Sequence, residues 1–227
     1  MKKYKFLLFD LDDTLFDFSK SQLDGIKHLF EMHDLVFDDY KYDQYLKINR
    51  KYWDMLEHNQ ASIDIVRSKR FEEFFALHNI HVNGIEIDDI YHHYLNNTCH
   101  LLPNALKLLT SLQDKYELYA VTNGFSVTQM ARLEECNIKH FFKDVFISDS
   151  IGYVKPQIEF FNYVSDKIPN FNKDHSLIIG DSLSSDIQGG LNFNMDCCWF
   201  NPNFTKNTSE IQPTYEVNSY SELLEII

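Results

Sequence analysis

Tyr4-Lys5-Phe6-Leu7-Leu8-Phe9-Asp10-Leu11-Asp12-Asp13-Thr14-Leu15 starts as a short apolar run and breaks abruptly at carboxylates. A continuous apolar run of this length fits a buried strand of a parallel sheet, because both faces of such a sheet are covered. The texture returns after Pro103. Glu117–Thr122, Asp144–Ser148, Ser176–Gly180 and Asp196–Phe200 read as strands, and Asn104–Lys115, Val127–Cys136, Gln157–Lys167 and Ser184–Asn192 as the helices between them. Short strands alternating with helices predict an α/β fold, a three-layer doubly wound parallel sheet. From Phe18 to Thr98 the pattern differs: Ile26, Leu29 and Phe30, then Tyr45, Ile48 and Tyr52, then Val66, Phe71, Phe74 and Phe75 recur at helical spacing. That spacing predicts an all-helical insert over residues 16–98, dividing the α/β core into residues 1–15 and 99–227. The polar stretch Asn201–Pro213 reads as a surface loop.

At 227 residues the chain has room for a core and a smaller insert, and its 44% hydrophobic and 15% aromatic content suits a packed interior. The formal charge of −13 argues against a nucleic-acid polymer as partner, since phosphate-backbone binding needs clustered Lys and Arg. Acidic residues interrupt the apolar run of Met1–Asp13 too early for a signal peptide or a membrane span. Cys99, Cys136, Cys197 and Cys198 lack metal-ligand spacing and read as packing residues. Together these features predict a cytoplasmic protein, a monomer or weak homo-oligomer.

The polar residues sit at strand ends. Asp10 and Asp12 follow the first strand, Thr122-Asn123-Gly124 ends the second, Lys155-Pro156 lies in the loop after the third, and Gly180-Asp181, with Asp186 beyond, follows the fourth. In open parallel sheets ligands sit at the carboxyl ends of the strands, so these residues converge on one crevice. Several carboxylates brought together repel unless cations compensate. A hard divalent cation, most simply Mg²⁺, resolves the repulsion and leaves positions for a phosphate. With Lys155 added, an acidic crevice on an acidic protein becomes an anion site. A carboxylate that attacks phosphorus splits phosphomonoester hydrolysis into two easier steps.

Phe9-Asp10-Leu11-Asp12-Asp13-Thr14-Leu15 resembles the first motif of the haloacid dehalogenase superfamily. Thr122-Asn123-Gly124 resembles its second, Lys155-Pro156 its third, and Gly180-Asp181-Ser182-Leu183-Ser184-Ser185-Asp186 its fourth, in the family's order over the whole chain. The resemblance implies Asp10 as nucleophile and metal ligand, and Asp12 as the acid and then the base, with its backbone carbonyl on Mg²⁺. It implies Thr122 and the amides of Asn123 and Gly124 on phosphate, Lys155 bridging phosphate and Asp10, Asp181 on Mg²⁺ directly, and Asp186 on Mg²⁺ through water or orienting Asp181. The helical insert is similar to the family's cap. Further runs, TNGFSVTQMARL, GYVKPQIEFFNYV, IIGDSLSSDIQGG and CCWFNPN, are similar to the noncanonical pyrimidine nucleotidase branch.

That resemblance implies a phosphatase acting on a nucleoside 5′-monophosphate, pyrimidine favoured, through an aspartyl-phosphate. The alternatives are a phosphatase of a sugar phosphate or phosphoglycolate and a phosphomutase. A dehalogenase has no use for the Asp12 carboxylate or a metal, a receiver domain lacks the Asp181–Asp186 pair, and an inactive scaffold would have lost a motif residue. Outside the motifs, Arg67, Lys69 and Arg70 are set as substrate contacts against a solvated helix face, and Phe16 or Phe18 as a stacking partner for a base against core. His92-His93 reads as surface or core, Thr14 as a backbone or site partner, and Gly189-Gly190 as close packing.

Overall fold

The structure, a computed structural model, describes residues 4–227; Met1–Lys3, the basic start of the N-terminal run, lie outside the described residues. The chain forms two compact units, Met1–Phe18 with Cys99–Ile227, and Ser19–Thr98.

The first unit is built on six strands, β1 (Phe6–Phe9), β2 (Glu117–Thr122), β3 (Asp144–Ile147), β4 (Ser176–Gly180), β5 (Asp196–Phe200) and β6 (Tyr215–Val217). They pair in parallel in the order β3-β2-β1-β4-β5-β6. β1 is central, and its side chains serve both faces. Leu7 and Phe9 pack with Leu108, Leu109, Leu112 and Leu133, while Phe6 and Leu8 pack with Phe160, Phe161, Val164 and Ile187. That is the three-layer α/β arrangement that an uninterrupted apolar run predicts. The chain runs outward from β1 through β2 to β3, then crosses to β4 on the other side, so the strand order reverses beside β1. Crevices at such reversals hold ligands.

β6 and the final helix, Tyr220–Ile226, carry no clear signal in the sequence. β6 is a short edge strand, and Tyr220 beside it stacks on Phe200 at 4.8 Å and donates its hydroxyl hydrogen to the Thr14 carbonyl. Phe16 stays with this unit through bridges to Asp12 and Leu101.

The second unit is four helices, α1 (Phe18–Met32), α2 (Asp39–Glu57), α3 (Ile63–Ala76) and α4 (Gly84–Asn96). Asp38 and Asn83 cap α2 and α4 by accepting backbone N–H bonds. The helical stripe is its interior: Ile26, Leu29, Phe30, Tyr45, Val66, Phe71, Phe74 and Phe75 are buried, with Phe30 stacked on Phe74 at 5.2 Å. Among the described residues no helix is long and apolar enough to cross a membrane.

Candidate active site

β1 ends at Phe9, and the backbone turns at once. Asp13 takes a left-handed conformation that Asp tolerates (φ 54°), and its N–H bonds to the Phe16 carbonyl. The turn leaves Asp10 at the strand tip, 6% exposed. Across the crevice Lys155, 1% exposed, donates from Nζ to Asp10 Oδ1 and Asp186 Oδ1, both at 2.6 Å, and to the Val121 carbonyl at 2.9 Å. Asn123 fixes the Lys155 loop to the end of β2 through two reciprocal bonds: its Nδ2 donates to the Lys155 carbonyl, and its Oδ1 accepts from the Lys155 N–H. The Asn123 side chain is therefore turned to the loop.

Asp181 follows β4, its carbonyl held by Trp199 Nε1 at 2.7 Å. Asp186 comes back to the same place through one turn of π-helix (Leu183–Ile187), with its Oδ2 accepting from the Ser182 amide. Gly180 makes this approach possible, since a Cβ there would lie 2.3 Å from the Asp186 carboxylate. One carboxylate oxygen from each of Asp10, Asp181 and Asp186 lies within 4.8 Å of the others. Burial pushes the Asp10 carboxyl upward, against the pull of Lys155 and with Asp186 and Asp12 adding to the rise. Burial raises Asp181 as well, with Asp10 and Asp186 repelling it. Burial disfavours the Lys155 ammonium, but the facing Asp10 and Asp186 carboxylates outweigh it and hold its pKa above the ordinary lysine value. Three crowded oxygen donors in an enclosed site fit a hard divalent cation such as Mg²⁺, whose charge relieves this repulsion.

Thr122 ends β2, and its Oγ1 accepts from the Gly124 amide at 3.1 Å and from Gln129 Nε2 at 2.8 Å. Both lone pairs are used, so the Thr122 hydroxyl hydrogen is left to donate to a ligand oxygen. The Gly124 amide itself points at Thr122 in this structure. Asp12 lies to one side, its Oδ2 accepting from Gln129 Nε2 at 2.7 Å and its Oδ1 from Arg132 Nη1 at 2.5 Å.

Gln129 and Arg132 lie in the run TNGFSVTQMARL, but that run assigns neither a role. The signal open to a sequence reader is their place on α5 (Ser126–Glu135): both fall on the face of Leu133, where they are buried along with it. Other candidates resolve as structural. Arg67 and Arg70 turn to Asp88 inside the helical unit, with Arg70 Nη2 at 2.5 Å and Arg70 itself 2% exposed, so neither is a free cation for substrate. His92 pairs with the same carboxylate, and His93 is exposed. Phe16 is wholly buried beneath the Arg132 guanidinium at 4.2 Å and presents no face to a base. Gly189 and Gly190 pack closely against Phe161, Ile178 and Cys197. Cys99 and Cys136 form a disulfide, which corrects their reading as packing residues, whereas Cys197 and Cys198 are buried thiols. A pair 37 residues apart needs the fold to bring it together.

The carboxylate cluster, lysine and threonine meet at the switch-point crevice of an α/β fold, a combination suited to an anionic ligand held beside a cation. The chain belongs to the haloacid dehalogenase-like hydrolases, whose family model matches residues 7–200. It is 39% identical to YfnB of Bacillus subtilis over all of this chain and 97% of that protein. The crystal structure of YfnB bound to magnesium superposes with a TM-score of 0.93 over 99% of both chains. The pyrimidine 5′-nucleotidase PynA of Streptococcus pneumoniae is 36% identical over 99% of this chain and 95% of its own. The pyrimidine 5′-nucleotidase YjjG of Escherichia coli is 27% identical over 99% and 98%.

Proposed function

We propose that this enzyme hydrolyses nucleoside 5′-monophosphates, pyrimidine favoured, to nucleoside and phosphate through an aspartyl-phosphate on Asp10. The observation that carries the chemistry is the Lys155 bridge, a buried ammonium 2.6 Å from both Asp10 and Asp186 at the tip of β1. Asp10 Oδ1 is held by Lys155, so the carboxylate is aimed and its other oxygen attacks phosphorus. The Thr122 hydroxyl and the Asn123 amide donate to phosphate oxygens, and Lys155 offsets the charge that builds on them. Asp12 gives its proton to the leaving alcohol oxygen, then takes one from the water that attacks the aspartyl-phosphate. Asp10, Asp181 and the Asp12 carbonyl would hold Mg²⁺, with Asp186 beside them, and the ion would supply charge neutralisation at the phosphate. The helical unit, residues 16–98 as a cap, reads the leaving group.

The similarity to PynA and YjjG along nearly the full chain supports the pyrimidine preference. The test is purified protein with Mg²⁺ on a panel of nucleotides, sugar phosphates and p-nitrophenyl phosphate, reading released phosphate. Pyrimidine monophosphates should lead on kcat/KM, and a sugar phosphate that beats every nucleotide overturns the nucleotidase reading. Asp10→Asn should abolish turnover with the fold intact; appreciable residual activity overturns the covalent route. The same reading places the enzyme in the cytoplasm, where Cys99 and Cys136 would be held as thiols. Mass spectrometry of protein alkylated inside cells tests this, and a persistent disulfide speaks against that compartment.

A further inference from the structure

The Asp12 carboxylate is held by a buried polar device that the reaction scheme above does not use. Its two oxygens are each taken by one donor, Oδ1 by Arg132 Nη1 and Oδ2 by Gln129 Nε2. The donors are themselves locked. Arg132 is 1% exposed, with its guanidinium over the rings of Phe16 at 4.2 Å and Phe18 at 5.4 Å. Arg132 Nη1 also donates to Gln129 Oε1 at 3.1 Å, and Gln129 Nε2 uses its second hydrogen on Thr122 Oγ1. A flipped Gln129 amide would set donor against donor at Arg132 and acceptor against acceptor at Asp12, so one orientation survives. Gly124 makes room for it, since a Cβ there would meet Gln129 Nε2 at 2.4 Å.

Burying a guanidinium costs several kcal/mol, and an apolar residue of the same volume commonly gives equal or better stability. Anchoring α5 alone therefore does not account for Arg132. The Asp12 side chain is 28% exposed against 1% for Arg132, so Asp12 is the partner with access to the crevice. Each of its oxygens accepts one hydrogen bond and keeps a lone pair directed away from its donor.

We propose that Gln129 and Arg132 are positioning residues that hold Asp12 in its base posture, so that it accepts the proton of the water attacking the aspartyl-phosphate. In that step the water oxygen bonds to phosphorus, the P–O bond to Asp10 breaks with its electron pair returning to the Asp10 carboxylate, and the proton goes to Asp12. The inference rests on the reading of Asp12 as acid and base. Through the shared Nε2, Gln129 ties this posture to Thr122 on the phosphate.

The experiment is rapid-quench kinetics with Mg²⁺ and p-nitrophenyl phosphate, whose nitrophenolate leaves without needing a proton, on wild type, Gln129→Leu, Arg132→Met and Asp12→Asn. A misaimed base slows hydrolysis of the phosphoenzyme on the order of tenfold to a hundredfold but not its formation. The expected result for Gln129→Leu and Arg132→Met is a nitrophenolate burst larger than wild type. kcat and KM should fall together, with kcat/KM nearly unchanged. A fall in kcat with no rise in burst, including one caused by fewer folded sites, overturns the inference, and that result in either variant alone is enough. Asp12→Asn separates the two levels. If it accumulates phosphoenzyme while the other variants do not, only the positioning role fails; if it also hydrolyses phosphoenzyme at the wild-type rate, the reading of Asp12 itself fails.

Discussion

Replacing Lys155 by Met tests the centre of the site through stability as well as activity. The ammonium is 1% exposed and makes three charge-assisted or carbonyl bonds, to Asp10, Asp186 and Val121. Met keeps most of the volume and removes the charge, leaving Asp10 and Asp186 enclosed without a cation. Breaking a buried pair on one side costs about 3–5 kcal/mol. At roughly 2–4 °C per kcal/mol for a domain of this size, the midpoint of the α/β unit should fall by about 6–20 °C at neutral pH without metal. The loss should depend on pH. The Asp10 carboxyl is already raised by burial and rises further without Lys155. A group whose folded pKa is raised contributes stability below its unfolded pKa and loses it as pH climbs through the folded value. The variant therefore falls further behind wild type as pH climbs above about 8, where Asp10 has ionised in wild type and is still protonated in the variant. The deficit is level from there down to the ordinary carboxylate range near 4, and saturating Mg²⁺ should restore part of it. Calorimetry across both pH ranges with and without Mg²⁺ measures both effects. A variant as stable as wild type at about pH 8, or a deficit that does not widen as pH rises above about 8, refutes the account of Lys155 as the charge partner of this cluster.

Gly180→Ala should push Asp186 out of the carboxylate cluster, because the new Cβ meets its carboxylate at 2.3 Å; the Mg²⁺ concentration for half-maximal activity should rise about 10–100-fold. Asp88→Asn strips Arg70 of its buried carboxylate and should destabilise the helical unit by about 3–5 kcal/mol in urea titrations. Burial favours a neutral Asp88, but His92, Arg70 and Arg67 outweigh it and bring its pKa to about 2. Its contribution is thus complete above about pH 4 and lost as pH falls through 2, and the Asn variant should lack that acid transition. Cys136→Ser, which opens a link between positions 37 residues apart, should cost about 2–4 kcal/mol in non-reducing buffer and nothing under reductant.

Much of this molecule is legible along the chain. The breaks at Phe9-Asp10, Thr122-Asn123 and Gly180-Asp181 are local changes from apolar to polar at the ends of strands, and the sheet follows from their alternation with helices. The helical unit is equally plain, since a stripe such as Phe71, Phe74 and Phe75 needs only its own spacing to be read. β6 is not legible: Tyr215–Val217 is three residues long and owes its place to the open edge of β5.

The sequence by itself thus determined the strand tips, and with them Asp10, Thr122, Lys155, Asp181 and Asp186 as a converging set, because their positions follow from short-range patterning. Only the tertiary structure decided how polar groups on those elements pair. Arg70 became the buried partner of Asp88, Cys99 found Cys136, and Asp12 acquired Gln129 and Arg132. Those choices depend on which side chains packing brings within about 3 Å after the chain has folded. Partners 117 and 120 residues apart leave no periodic trace of each other.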